Sequence, residues 1–182
     1  MSSSVPKAPR RVSVWALPLQ TGGCGACTQS LYALQAATYA KALEARGVSF
    51  ARSPRHADVI LISGPMTTVS REAVRAVIDA APLPRALVAV GNCAIDGCVF
   101  AGSPHITASA AEDLDVNVEI AGCPPAPDAI LAAIAEAADL LASAESTQEE
   151  SEATAGEGVE EEAADAGDEA DELDDTGDED GE

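Results

Sequence analysis

Four of the five cysteines in this chain lie in three short turns that contain glycine. The turns are Gly22–Cys27, which carries Cys24 and Cys27, then Gly91–Ala94, which carries Cys93, and Gly122–Pro125, which carries Cys123. Cysteine thiolates bind iron–sulfur clusters, and glycines let backbone N–H groups approach the sulfurs of such a cluster. If the three turns meet in the fold, the four cysteines can bind one cluster.

The spacing of the cysteines favours a cluster but leaves three alternatives open. A single Cys-x-x-Cys pair is also typical of a redox dithiol or of half a zinc site. Dithiol chemistry would leave Cys93 and Cys123 without a role. Structural zinc sites often use two close pairs of ligands, whereas this chain has one close pair and two single cysteines. Simple burial explains any one cysteine, but it explains four cysteines in glycine turns poorly.

Apolar runs beside the cysteine turns predict the elements that position them. Strands are predicted at 12–19, 58–63, 85–90 and 116–120. Helices are predicted at 28–46, with Tyr32, Ala36, Tyr39 and Leu43 on one face, after Ser70, and at 126–141. This alternation predicts a doubly wound α/β fold with a parallel sheet. Ligands of such sheets bind beyond the carboxyl ends of the strands, where all three cysteine turns are placed.

The composition predicts three regions: an N-terminal extension over 1–11, one domain over 12–144, and an acidic tail over 145–182. Ten basic and 12 acidic residues precede position 145, which gives that part a formal charge of −2. The tail has 19 acidic residues, no basic residue and no aromatic residue. A segment of this kind buries too little apolar surface to offset its ordering entropy, so we expect it to be disordered. It would serve either as a solubilising appendix or as an electrostatic arm that speeds encounter with a basic partner.

Several classes of protein are disfavoured by the same composition. The polar start has no apolar core of a signal peptide, and no apolar stretch is long enough to cross a bilayer. Basic residues are too few and too scattered for a nucleic-acid surface. We therefore expect a cytoplasmic protein that does not bind nucleic acid.

Five segments in unbroken order resemble one family. They are Gly23–Cys27, Ser53–Val59, Gly64–Thr67, Ala89–Ala94 and Gly122–Pro127. Over roughly 12–141 the chain resembles the small electron-transfer subunit of membrane-associated, energy-converting [NiFe]-hydrogenases. The same superfamily includes the small cluster-bearing subunit of respiratory complex I. The resemblance implies a flavodoxin-like fold and one [4Fe–4S] cluster on Cys24, Cys27, Cys93 and Cys123.

The resemblance also implies a function within a larger oxidoreductase. The cluster would transfer electrons between a large catalytic subunit, with a nickel–iron centre or one derived from it, and a ferredoxin-like subunit or soluble carrier. This chain would hold no complete active site, and it would reach the cytoplasmic face of a membrane only through partner subunits. Two alternatives remain: a quinone-linked or hydrogenase-related complex without nickel chemistry, and a zinc-stabilised interaction module.

Three features depart from the family pattern. Ser30 stands where the family usually has an acidic residue, Cys98 stands where it usually has a glycine, and the acidic tail is an addition. The separated pair Cys24 and Cys27 resembles the hydrogenase branch. We interpret Cys98 as a thiol that packs beside the cluster rather than as a ligand.

Overall fold

The structure, a computed structural model, describes residues 13–155, with side chains over 13–144. Its strands are β1 (Val14–Gln20), β2 (Val48–Phe50), β3 (Val59–Ser63), β4 (Met66–Thr67), β5 (Ala86–Val90), β6 (Ile106–Ala108) and β7 (Val118–Ile120). Its helices are α1 (Ala26–Ala33), α2 (Ala37–Ala45), α3 (Arg71–Asp79), α4 (Asn92–Asp96), α5 (Ala110–Asp113) and α6 (Pro127–Ala155). Two 3₁₀ turns lie at Pro54–His56 and Cys98–Phe100.

Five strands form one parallel sheet in the order β2-β1-β3-β5-β7. Every pair in this sheet is parallel, and β4 and β6 form a separate antiparallel pair. Numbered along the chain without that pair, the order is 2-1-3-4-5, which is the flavodoxin-like arrangement. The predicted doubly wound α/β fold is therefore confirmed. Strands β2, β4 and β6, which have two or three residues each, were not predicted.

Helices cover both faces of the sheet. The central strands β3 and β5 are buried along their whole length, as their unbroken apolar sequences predict. Alternate residues of each strand enter opposite cores: Val59 and Leu61 pack with α1, α2 and α6, whereas Ile60 and Ile62 pack with α3, α4 and α5. This two-sided packing fixes the strand ends, from which the cysteine turns emerge.

The helix predicted over 28–46 is wrong in one respect, because it is two helices that break at 34–36. Leu34 and Leu43 both lie in the core. Nine residues apart on a continuous helix, they would point in opposite directions. The break lets both enter the same core, and Tyr32, which was predicted to lie on the same face as Leu43, is 57% exposed.

Helix α6 continues to Ala155, beyond its predicted end at Leu141 and into the segment assigned to the tail. Residues 142–155 are rich in Ala and Glu and contain no Gly or Pro, so helix propensity carries the helix on. The remainder of the predicted acidic tail, and the N-terminal extension, lie outside the described residues. Within the described part of the chain, no helix combines the length and the apolar character that a membrane span requires.

Asp113 joins α5 to α3 through two arginines. Its carboxylate accepts hydrogen bonds from the Arg71 Nε, 3.0 Å from each oxygen, and from the Arg75 Nη2 at 3.0 Å. The Asp113 side chain is only 5% exposed. The hydrogen bonds from Arg71, together with the positive charges of both arginines, lower the pKa of Asp113, although burial acts in the opposite direction.

We expect Asp113→Asn to lower the free energy of unfolding at neutral pH by about 1 kcal/mol, a value kept small because both arginines are half-exposed. A carboxyl whose pKa is lowered by folding stabilises the protein fully above its ordinary pKa of 3.8. That contribution disappears as the pH falls through the pKa of Asp113 in the folded state. The free energies of unfolding of the wild type and of Asp113→Asn should therefore converge in acid. Urea unfolding of the full chain across this pH range measures the effect.

Asp79→Asn is the matched control, because Asp79 is an exposed carboxylate 3.8 Å from Arg85. Exposed pairs of this kind contribute little. If Asp79→Asn and Asp113→Asn lower the free energy of unfolding equally at neutral pH, the structural role given to Asp113 is contradicted.

Candidate functional site

The three cysteine turns meet at the carboxyl edge of the sheet. Cys24 lies in the loop after β1, and Cys27 lies in the first turn of α1. Cys93 lies in the first turn of α4, directly after β5, and Cys123 lies in the loop between β7 and α6. Strands β5 and β7 are neighbours, whereas β1 is separated from β5 by β3. The loop that carries Cys24 and Cys27 must therefore pass over the end of β3 to reach the other two cysteines.

Glycines make this crossing possible. Gly23 and Gly64, which follows β3, are in backbone contact: a Cβ on Gly64 would lie 2.5 Å from the Gly23 nitrogen. Gly64 also has a φ of 96°, a conformation that favours glycine. Thr21 fastens the two loops, since its N–H donates to the Ser63 carbonyl at 3.0 Å and its hydroxyl lies 2.7 Å from the Gly64 carbonyl oxygen.

A third glycine, Gly91, leaves space for the Cys27 sulfur. A Cβ on Gly91 would stand 2.5 Å from the Cys27 Sγ and 3.2 Å from the Gly122 carbonyl oxygen. The backbone of Gly91 has φ 86° and ψ 159°, a region that is essentially restricted to glycine. The turn after β5 therefore provides a space beside Cys27 that any side chain would fill.

The thiols of the four predicted ligands influence one another, although their exposure differs. Cys93 is 8% exposed, Cys27 is partly buried, and Cys24 and Cys123 are exposed. Burial, followed by the nearby Cys24 and Cys123, raises the pKa of Cys27. Burial, followed by Cys98 and Cys123, raises the pKa of Cys93 to about 11. Without a metal, the Cys93 thiol is protonated at neutral pH, so metal binding there must release that proton.

The fifth cysteine, Cys98, lies next to this group. Its thiol shares a hydrogen bond with the Cys93 thiol, which is one cause of the raised pKa of Cys93. Cys98 has a φ of 47°, the one positive φ of a non-glycine residue in the described part of the chain. This left-handed conformation explains physically why a glycine suits the position. Cys98 thus lies beside the predicted ligand Cys93, and its role as a packing thiol rather than a ligand stays a prediction.

The other residues noted in the sequence lie in different surroundings. Ser30 is buried on α1, three positions after Cys27. His56 and His105 are both exposed, on the 3₁₀ turn before β3 and in the loop before β6. Their positions give neither histidine a place among the cysteines.

Asn92 and Thr28 belong to the site but could not be recognised from the sequence. Asn92 bonds the turn of Cys93 to the turn of Cys123, where its Oδ1 accepts from the Gly122 N–H at 2.7 Å. Asparagine often bonds to backbone within a turn, but a partner 30 positions away cannot be read from a pattern. Thr28 follows Cys27, and its buried hydroxyl is the one side-chain polar atom in the described part of the chain that is buried without a hydrogen-bond partner.

The four cysteine thiols are donors that a metal–sulfur cluster or a zinc ion would use. No group of three or more Cys, His, Asp or Glu residues within the described side chains is close enough to hold one ion. A tetrahedral zinc site needs bonds of about 2.3 Å from four sulfurs to one centre. In a cluster each cysteine binds a different iron, so the sulfurs stand farther apart. Thr28, whose buried hydroxyl has no partner, lines one small pocket with Cys24, Cys27 and Cys93, and Gly91 leaves room beside the Cys27 Sγ. The sulfurs of a cluster would need such donors and such room.

Comparison with known proteins identifies the family and agrees with the fold. Residues 24–137 match the family described as NADH ubiquinone oxidoreductase, 20 Kd subunit, and this range includes all five cysteines. A probable membrane-bound hydrogenase subunit, mbhJ, of Pyrococcus furiosus is 37% identical over 130 residues, which cover 71% of this chain and 77% of the relative. An NADH-quinone oxidoreductase subunit of Citrifermentans bemidjiense is 34% identical over 134 residues, which cover 74% of this chain and 75% of the relative.

Two solved structures share the architecture. A chain of the membrane-bound sulfane sulfur reductase, an archaeal respiratory membrane complex, superposes with a TM-score of 0.59 and 28% identity, covering 72% of each chain. A chain of an NAD⁺-reducing [NiFe]-hydrogenase superposes with a TM-score of 0.50 and 25% identity, covering 65% of this chain and 86% of that one. The similarity to hydrogenase and complex I subunits, which was inferred from the motifs, is thus confirmed. The chain belongs to the NADH ubiquinone oxidoreductase 20 Kd subunit family and is an oxidoreductase subunit of the hydrogenase and complex I type.

Proposed function

We propose that this chain binds one [4Fe–4S] cluster through Cys24, Cys27, Cys93 and Cys123 and transfers single electrons within a hydrogenase-type oxidoreductase complex. The observation that carries the proposal is the meeting of four cysteines from three turns at one edge of the sheet. The family match, which contains all four cysteines, supports it.

When bound, such a cluster supplies one reversible one-electron redox centre. The role of the chain's own residues is to hold that centre and to control its surroundings. Cys93 anchors it from the buried side, while the glycines at positions 23, 64 and 91 bring the loops together. Thr28 lines one small pocket with Cys24, Cys27 and Cys93, and Cys98 lies beside Cys93. Hydrogen bonds from such groups to sulfur would tune the potential of a cluster.

The exposure of the site supports an obligate partner. Cys24 and Cys123 are exposed, so this chain alone does not shield the group that they would bind. Two exposed apolar side chains occur near these cysteines in the sequence. Tyr32 lies five positions after Cys27 on α1, and Val99 comes directly after Cys98. We propose that a large catalytic subunit covers this edge and that electrons pass on to a ferredoxin-like subunit or soluble carrier. Association with a membrane would then occur through these partners.

Anaerobic purification of the full chain with its accompanying subunits tests the proposal. The preparation should show broad absorbance in the blue part of the visible spectrum and about four irons per chain. Reduction should bleach this absorbance and give a paramagnetic signal. The gene neighbourhood should encode a large subunit with two Cys-x-x-Cys pairs.

Stoichiometric zinc without iron would overturn the proposal and favour the zinc-stabilised interaction module. If the cluster is present but no partner binds nickel, the electron-transfer role is retained. The complex would then be a quinone-linked or other hydrogenase-related one without nickel chemistry. An isolated chain that is a stable monomer in air with its cluster intact would contradict the covering partner.

A further inference from the structure

Asn92 forms a two-point connection between two of the cysteine turns. Its backbone N–H donates to the Gly122 carbonyl at 3.0 Å, and its side-chain Oδ1 accepts from the Gly122 N–H at 2.7 Å. Asn92 directly precedes Cys93, and Gly122 directly precedes Cys123. The connection therefore lies one residue away from two predicted ligands that follow different strands.

The opposite end of the same strand pair has a matching connection. The Asn117 N–H donates to the Leu87 carbonyl at 2.8 Å, and the Asn117 Oδ1 accepts from the Leu87 N–H at 2.7 Å. Asn92 is partly buried and joins the turn after β5 to the turn after β7, whereas Asn117 is exposed and joins the start of β5 to the residue before β7. The two connections therefore share their hydrogen-bond pattern but differ in exposure and in place, because Asn117 lies at the end of β7 that is remote from the cysteines.

Among the described residues, the two bonds between Asn92 and Gly122 are the hydrogen bonds that join the turns of Cys93 and Cys123 beyond the sheet. The last ladder bond between β5 and β7 runs from the Gly91 N–H to the Ile120 carbonyl at 2.8 Å. One residue farther on, the Asn92 N–H and Oδ1 both bond to Gly122, and past that pair the chains diverge into α4 and into the loop before α6. The Asn92 side chain thus adds a second bond to the backbone bond at the level where the two chains separate.

We propose that Asn92 is a positioning residue, which sets the separation of Cys93 and Cys123 and thereby the retention and the electronic environment of the bound cluster. The inference rests on the proposed function, because it assumes that both cysteines bind the same cluster. Residues that orient metal ligands typically change metal affinity by about 10- to 100-fold when they are replaced. Asn117 should have no such effect, because its connection holds only strands.

The test compares Asn92→Leu with Asn117→Leu in the full chain, purified anaerobically with its accompanying subunits. Leucine has nearly the shape of asparagine but lacks the acceptor oxygen. We expect Asn92→Leu to lose iron to a chelator at least about 10-fold faster than the wild type and to shift the paramagnetic spectrum. Asn117→Leu should stay within about twofold of the wild-type rate and keep the wild-type spectrum.

Two further variants keep the test decisive if Asn92→Leu does not fold. Asn92→Asp retains an acceptor oxygen at the same position and should retain iron like the wild type, whereas Asn92→Gln displaces it by one methylene and should lose iron faster. In the iron-free chain, the Gly122 amide should exchange with solvent faster in Asn92→Gln than in Asn92→Asp.

The outcomes separate this inference from the proposed function. A wild-type chain that binds no iron overturns the proposed function. A wild-type cluster that is lost equally fast from the Asn92 and Asn117 variants, or at the wild-type rate from both, overturns only the positioning role of Asn92.

Discussion

Replacement of Cys27 by serine should reduce the iron content from about four to three or fewer per chain, with loss or conversion of the visible absorbance. The expectation follows from the place of Cys27 within the group. Its Sγ lies against Gly91 of the β5 turn, and its thiol is influenced by both Cys24 and Cys123. It therefore contacts or faces all three turns. A serine hydroxyl has a similar size, but it is a much harder and less acidic ligand than a thiol.

Cys98→Ser is the matched control, because Cys98 is also partly buried and touches the same group through Cys93. If Cys98 packs beside the cluster without binding it, this variant keeps about four irons per chain. Iron analysis and visible spectra of both anaerobic preparations measure the difference. Iron loss from Cys98→Ser with retention in Cys27→Ser would reverse the ligand assignment.

Local sequence patterns were sufficient for four of the five strands of the parallel sheet, for its cysteine turns and for the family. Continuous apolar runs such as 58–63 predict buried parallel strands because no other short element hides both of its faces. Once the strands are known, the carboxyl edge follows, since each cysteine turn comes directly after a strand. The family match confirms the resemblance inferred from the motifs.

The parts that the sequence did not predict depend on contacts between distant residues. The break at 34–36 contains neither Gly nor Pro, and it exists because Leu34 and Leu43 both have to reach one core. The connection from Asn92 to Gly122 spans 30 positions. The crossing of Gly23 over Gly64 is also visible only when both loops are placed. Local patterns predict elements, but the fit between the elements determines the site.

Replacement of Gly91 by alanine should disrupt both the fold and the site. The φ of 86° and ψ of 159° at Gly91 are essentially closed to other residues, at a cost of about 1–3 kcal/mol for the backbone alone. The added methyl would also stand 2.5 Å from the Cys27 Sγ, well inside contact distance. To relieve this overlap, the loop that carries Cys24 and Cys27 must move away from Cys93. We expect the free energy of unfolding of the full chain to fall by about 3 kcal/mol or more and its iron content to drop sharply.

Gly25→Ala separates the backbone effect from the steric effect. Gly25 has a φ of 88°, close to that of Gly91, but a Cβ there would meet no atom within 4 Å. Its ψ of −7° places it in the left-handed region that other residues occasionally adopt, so alanine should cost only about 1 kcal/mol and lower the iron content less than Gly91→Ala does. Thermal unfolding and iron analysis of the two variants test the comparison. If Gly91→Ala is no more destabilised than Gly25→Ala and retains its iron, the close approach of Cys27 to the β5 turn is not needed to hold the cluster.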